Sequence, residues 1–203
     1  MSYSSLWVMD KNYVGVEDTE YSNSWLFSPV AWDVLIEKYI PSKNRNPFDQ
    51  SKCGFMAATM FDKTVNSMLN SLINNTNEQA DRVLWELCNQ QVFFSKDKKF
   101  VSDNIKRFLE INQKYDECLI SNANRWNEIA EDILHIDETE YPYFIFKNTS
   151  CDDNVEYWFS KYNEDTDEYE ESSLKDVGKS VCEFVTVEDS KITKFVGNTD
   201  YFA

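Results

Sequence analysis

Three residues of this 203-residue chain have the types and the order of a cysteine hydrolase: Cys53, His135 and Asp137. Cys53 precedes Gly54 and Phe55 where a helix would begin, and the positive end of a helix dipole favours a thiolate. His135 would accept the thiol proton, and Asp137 would hold the imidazole in the tautomer that this requires. The residues that usually flank such a nucleophile are absent. The competing expectation is a buried cysteine and a histidine that sits at a helix end because the dipole there is negative. The stretch His135-Ile136-Asp137-Glu138-Thr139-Glu140 offers metal-ligand types but not three or four converging ligands with a supporting shell, so it reads as a solvated helix end.

A second group is acidic. Glu164, Asp165, Asp167, Glu168, Glu170 and Glu171 put six carboxylates into eight residues. A calcium loop would need a glycine and alternating ligands, and both are missing. Nothing separates the carboxylate pKa values as acid–base catalysis would require. Two readings remain: a solvated loop that keeps the chain soluble, or a surface whose carboxylates imitate phosphates and occupy a basic nucleic-acid channel in a partner. Asp152, Asp153 and Glu156 extend the group to nine acids between residues 152 and 171. Within it, Tyr157, Trp158 and Phe159 are consecutive. On a strand they would place an aromatic on each face, so Trp158 is an interface anchor if one face is open, and a core residue if the strand is sandwiched.

Composition narrows the classes further. Lys and Arg number 20 against 36 Asp and Glu, a net charge of −16, which argues against a broad basic face for nucleic acid. The four glycines are too scattered for a phosphate-cradling loop, and a single histidine excludes a multi-histidine metal site. No cofactor and no metal are expected. The five cysteines, Cys53, Cys88, Cys118, Cys151 and Cys182, form no close pair, and the first ten residues lack a basic region, so reduced thiols in a cytoplasm are expected. No run of apolar residues is long enough to span a membrane. Lys exceeds Arg by 16 to 4, and Asn, Ile, Tyr and Phe are plentiful. That bias suits an AT-rich genome, such as that of a low-GC bacterium or its phages.

The elements that must position these groups follow from hydrophobic period. Leu6–Met9 and Tyr13–Val16 flank Asp10-Lys11-Asn12 as an opening hairpin, with Glu17–Glu20 as an acidic turn. Ser28-Pro29 opens a helix carrying Trp32, Leu35, Ile36 and Tyr39, which Pro41 stops, and residues 41–52 form a loop. Helical spacing recurs from Phe55 to Ile73, from a capping box at Thr76-Asn77-Glu78-Gln79, from a cap at Ser102, and across Trp126, Ile129, Ala130, Ile133 and Leu134. Past Pro142 the period changes from 3.6 to 2: Tyr143–Lys147, Val155–Lys161, Val181–Val187 and Lys191–Val196 read as an antiparallel meander. The expectation is one α+β domain over 1–203, with a helical bundle over 28–135 packed on a sheet formed by 142–196 and joined by the N-terminal hairpin.

Three functional classes fit. The first is an acidic cytoplasmic protein that inhibits or sequesters a basic partner, such as a nucleic-acid-binding defence or toxin protein, in the manner of a phage anti-defence or immunity factor. The second is the Cys53–His135 hydrolase, and the third an accessory protein whose acidity serves solubility alone. The first needs no membrane and no direct contact with nucleic acid.

Overall fold

A computed structural model describes residues 3–40, 63–148 and 154–203. Cys53, Cys151, Asp152, Asp153, Pro41, the loop expected over 41–52 and the first part of the Phe55–Ile73 helix lie outside the described residues.

The fold is α+β. Strands β1 (Tyr3–Met9) and β2 (Gly15–Ser22) lead to α1 (Ser28–Tyr39), α2 (Lys63–Asn74) and α3 (Gln79–Cys88). Then come β3 (Val92–Phe94), α4 (Lys98–Asn112), α5 (Cys118–Ser121) and α6 (Ala123–His135). The last part is β4 (Tyr143–Lys147), α7 (Asn154–Phe159), β5 (Ser160–Asn163), β6 (Glu168–Glu171), β7 (Glu183–Glu188), β8 (Lys191–Gly197) and α8 (Asn198–Tyr201). Six strands form one sheet in the order β2-β1-β4-β3-β7-β8, and β5 and β6 form a separate ribbon. The N-terminal hairpin does join the sheet, because β1 lies antiparallel to β4 from Ser5↔Lys147 to Met9↔Tyr143.

The period-2 alternation of β1 and β4 feeds two cores at once. Leu6, Val8, Phe144 and Phe146 pack under the helices with Val34, Leu84, Phe108, Trp126 and Ile129. Trp7, Met9 and Ile145 face the other way and pack against Val155, Trp158, Phe159 and Leu174. On the helical side Trp126 is fully buried, stacks on Phe108 at 5.5 Å and donates its indole N–H to the Leu26 carbonyl at 2.9 Å. That bond satisfies the one polar atom of a ring that otherwise belongs in a core.

Burial of polar groups obeys the same accounting. Asp81 of α3 is wholly buried, yet Lys38 lies 2.6 Å from Oδ2, Tyr39 donates to Oδ2 at 2.5 Å, and Asn112 donates to Oδ1 at 3.1 Å. Lys38 also donates to Asn112 at 2.9 Å, so α1, α3 and α4 are joined through one satisfied network. Its geometry fixes which turn of each helix faces the others.

Several expectations from the sequence are corrected. Glu17–Glu20 is not a turn but the exposed middle of edge strand β2, where charge outward and pairing to β1 are compatible. Helix α3 is capped by Glu78, whose carboxylate accepts from the Ala80 N–H, while the Thr76 hydroxyl accepts from Glu78 N–H one step earlier. Ser102 is buried inside α4, which begins at Lys98, and so caps nothing. Strand β3 interrupts the stretch read as purely helical: three residues suffice because Val92 and Phe93 are buried, one on each face. The sheet is mixed, because β3 runs parallel to β7. Val155–Lys161 is not one strand. It is α7 followed by β5, because Val155, Trp158 and Phe159 stand at i, i+3 and i+4 and share one buried face.

One buried acid makes stability depend on pH. Glu86 of α3 is almost wholly enclosed. Burial, reinforced by Glu183 and opposed by Arg82, pushes its carboxyl from an ordinary 4.5 up to about 8. The folded chain therefore holds a proton that the unfolded chain has released, so this contribution is complete below about 4.5 and declines as pH rises toward 8. Glu86→Gln keeps the neutral shape and removes the titration. Thermal melts from pH 5 to 8 are expected to show a flatter stability profile for the variant, with its largest gain over wild type at the alkaline end.

Candidate acidic interface

The acidic run is organised by α7 and the ribbon that continues from it. A six-residue helix has little stability of its own, so α7 exists through what it buries. Phe159 stacks on Trp7 at 5.5 Å, and its ring lies over Gly15 of β2 so closely that a Cβ there would fall 2.5 Å from Phe159 Cε2. Glycine at 15 is therefore a packing requirement. Lys147, the last residue of β4, is wholly buried with its ammonium beside the Tyr3 ring at 5.0 Å. Glu156 of α7 supplies its counter-charge and also accepts from the Tyr3 hydroxyl at 3.2 Å. A buried ammonium without such a partner would be strongly destabilising, so this pair pins the start of α7 to the sheet.

Beyond Phe159 the chain leaves the core. β5 and β6 pair antiparallel from Ser160↔Glu171 to Asn163↔Glu168. Ser172 N–H bonds back to the Phe159 carbonyl at 2.9 Å, which closes the base of the ribbon. The tip is a four-residue loop, 164–167. There the Asn163 side chain accepts from Asp165 N–H at 2.9 Å, and Asp167 takes a left-handed φ of 58°. Asn and Asp turn the chain in this way because their short side chains stand in for backbone acceptors. Alternation then sorts the faces. Tyr162 and Tyr169 pair directly across one face, with ring centres 5.3 Å apart and exposures of 45% and 65%. Lys161, Asn163, Glu168 and Glu170 share the other face, where Asn163 donates to Glu170 at 2.5 Å. Tyr162 also donates to Asp167 at the tip, and that hydrogen bond raises the phenol's pKa.

The ribbon thus carries all six carboxylates of 164–171 exposed around an exposed tyrosine pair. At its foot lies an open groove lined by Asp10, Lys11, Glu140, Tyr141 and Glu171. A positively charged, partly aromatic surface would find long-range attraction and a short-range apolar contact in one place.

The sequence assigned the aromatic anchor to the wrong residue. Trp158 is 5% exposed and packs in the second core, so it is a core side chain. Glu156, half-buried, is committed to the buried Lys147 and to the Tyr3 hydroxyl. Of the consecutive aromatics, Tyr157 is the exposed one, at 62%. Tyr162 and Tyr169 were missed. Their signal was the alternation Lys161-Tyr162-Asn163 and Glu168-Tyr169-Glu170 about a central turn, which reads as a hairpin once α7 is recognised as helical.

The hydrolase geometry is not assembled at its described members. His135 ends α6 with Nδ1 2.7 Å from the Glu131 carbonyl, which can only accept, so Nδ1 is the donor of that bond. Asp137 spends its carboxylate on the backbone N–H groups of Thr139 and Glu140, which lower its pKa. It caps a turn and does not orient the imidazole. Among the described residues, no three His, Cys, Asp or Glu side chains converge to hold a metal, and no helix is long and apolar enough to cross a membrane. None of the known protein families, curated proteins or solved structures compared with the chain matches it.

The packing behind the ribbon is directly testable. Trp158→Ala is expected to cost about 3–5 kcal/mol, as for other large buried aromatics. Gly15→Ala is expected to cost about 1–3 kcal/mol, because the Phe159 ring must move. Chemical denaturation of the two variants measures both. A loss under 1 kcal/mol for Trp158→Ala would return that ring to the surface.

Proposed function

We propose that the chain is an acidic binding protein that captures a basic protein partner through the β5–β6 ribbon. The observation that carries the proposal is the exposed Tyr162–Tyr169 pair set among six exposed carboxylates on an element with no core of its own. A ribbon standing off the main sheet can enter a groove that a rounded surface cannot. Carboxylates spaced along it would meet lysines and arginines that otherwise contact phosphates, which suits a partner that itself binds nucleic acid. The net charge of −16 adds long-range steering toward such a surface. An inhibitor of the anti-defence or immunity type, working in a host cytoplasm, is the setting this chemistry fits.

The two components are expected to fail differently. Replacing Glu164, Asp165, Asp167, Glu168, Glu170 and Glu171 by Gln or Asn removes steering, so association slows and its salt dependence flattens. Tyr162→Ala with Tyr169→Ala removes the short-range contact, so dissociation quickens; a hot-spot loss of ~2 kcal/mol is about thirtyfold in affinity. The experiment is quantitative capture from cells of the source organism on wild-type and neutralised bait at two ionic strengths, followed by binding kinetics on the retained protein. Basic, nucleic-acid-binding proteins held by wild type and lost from the neutralised bait are expected. Identical captured sets on both baits would overturn the proposal.

A further inference from the structure

Three side chains from three helices close a triangle inside the helical core. Lys38 lies in the last turn of α1, Asp81 in the first turn of α3, and Asn112 is the last residue of α4. Lys38 Nζ is 2.6 Å from Asp81 Oδ2 and donates to Asn112 Oδ1 at 2.9 Å. Asn112 Nδ2 donates in turn to Asp81 Oδ1 at 3.1 Å. Asp81 and Asn112 are wholly buried, and the Lys38 side chain is 19% exposed. The Tyr39 and Tyr115 rings stand beside the ammonium at 5.7 and 5.9 Å, and the Tyr39 hydroxyl donates to Asp81 Oδ2 at 2.5 Å.

An ion pair needs only two of these groups; acyl transfer between side chains needs all three. It takes an amine nucleophile, a primary carboxamide whose nitrogen can leave, and a carboxylate in reach of both nitrogens to carry protons. The carbon under attack, Asn112 Cγ, is at most about 4.1 Å from Lys38 Nζ, the hydrogen-bond distance plus one C=O bond of about 1.23 Å. Reactive approach begins near 3.5 Å, so the movement still needed is about 0.6 Å or less. Burial also disfavours charge. Passing a Lys38 proton to Asp81 turns two ions into two neutral groups, which costs less in this enclosed place than in water.

We propose that Lys38 and Asn112 join in an autocatalytic isopeptide bond between α1 and α4, with Asp81 as the proton carrier. Asp81 takes one proton from the Lys38 ammonium, and the neutral amine attacks Asn112 Cγ to form the new C–N bond. Asp81 then passes a proton to the leaving nitrogen, Nδ2, and takes the second one from Nζ; its two oxygens already meet those two nitrogens. The Cγ–Nδ2 bond breaks and ammonia departs past the exposed part of Lys38, while Asp81 keeps one proton. One C–N bond replaces another, nothing is oxidised or reduced, and no co-reactant is consumed. The product ties together residues 74 positions apart and removes both charges of a buried ion pair. This site is independent of the ribbon and of what the ribbon binds.

The test is intact mass spectrometry of the purified full chain under denaturing conditions, fresh and after prolonged incubation at neutral pH, followed by peptide mapping. Wild type is expected to weigh one ammonia less than its sequence requires and to yield a branched peptide in which Lys38 is joined to Asn112. That measurement needs no variant to fold. Lys38→Arg keeps a positive charge beside Asp81 and is expected to retain the full mass. Asp81→Asn, checked by a thermal melt to be folded, is expected to lose the cross-link as well, because nothing then carries the protons. Four results would each overturn the assignment. They are a wild type that keeps its full mass throughout, an ammonia loss that persists in Lys38→Arg, a water loss with the branch at Asp81, and a folded Asp81→Asn that cross-links as completely as wild type.

Discussion

The rest of the structure depends on one constraint: β1 and β4 are covered on both faces. A strand in that position can have no solvent side, so Leu6-Trp7-Val8-Met9 and Phe144-Ile145-Phe146 are apolar without interruption. Each residue must find a core, and alternate residues find different ones. The helices α1, α3, α4 and α6 meet the first face, as the long central helical stretch demands. The second face has no long helix to cover it. Short pieces do the work, α7 and the turn at Leu174, with α8 and the Tyr201 and Phe202 rings at one end. The segment that carries the acidic ribbon is thus held in place by the need to cover Trp7, Met9 and Ile145.

Charge inside the protein follows from the same geometry. β4 ends at Lys147 while still enclosed, and Glu156 answers it from α7. Asp81 is enclosed between helices, and Lys38 and Tyr39 answer it. At Asp81, removing Lys38 would leave a buried charge uncompensated, which is far worse than never having the pair. These contacts therefore act more on alignment than on net stability: they make one register of helix against sheet acceptable and others costly.

Outside, acidity is distributed by role. On β2, Glu17, Asp18 and Glu20 mark an exposed edge that would otherwise invite pairing with another chain. On the ribbon, carboxylates surround an aromatic pair, an arrangement that edge protection does not require. The same residue type thus faces a bare strand edge in one place and an exposed aromatic contact in another.

The sequence by itself determined the α+β class, the helices of the middle, the N-terminal hairpin and three of the late strands, because each rests on a local period that packing then rewards. Heptad-like spacing at Trp126, Ile129, Ala130 and Ile133 survives any tertiary arrangement, since all four must be buried somewhere. Tertiary structure decided the rest. Val155-Glu156-Tyr157-Trp158-Phe159 contains both an alternating and a helical pattern; Gly15 and Trp7, distant in sequence, and Lys147, nine residues before Glu156, select the helix. That choice buries Trp158, consumes Glu156 and passes the aromatic surface to Tyr162 and Tyr169. Likewise the three-residue strand β3 is too short to leave a period, and its place between β4 and β7 comes from partners about 50 and 90 residues away. Local patterns settle what an element can be; the counter-charges and close approaches supplied by remote residues settle which of two allowed forms it takes.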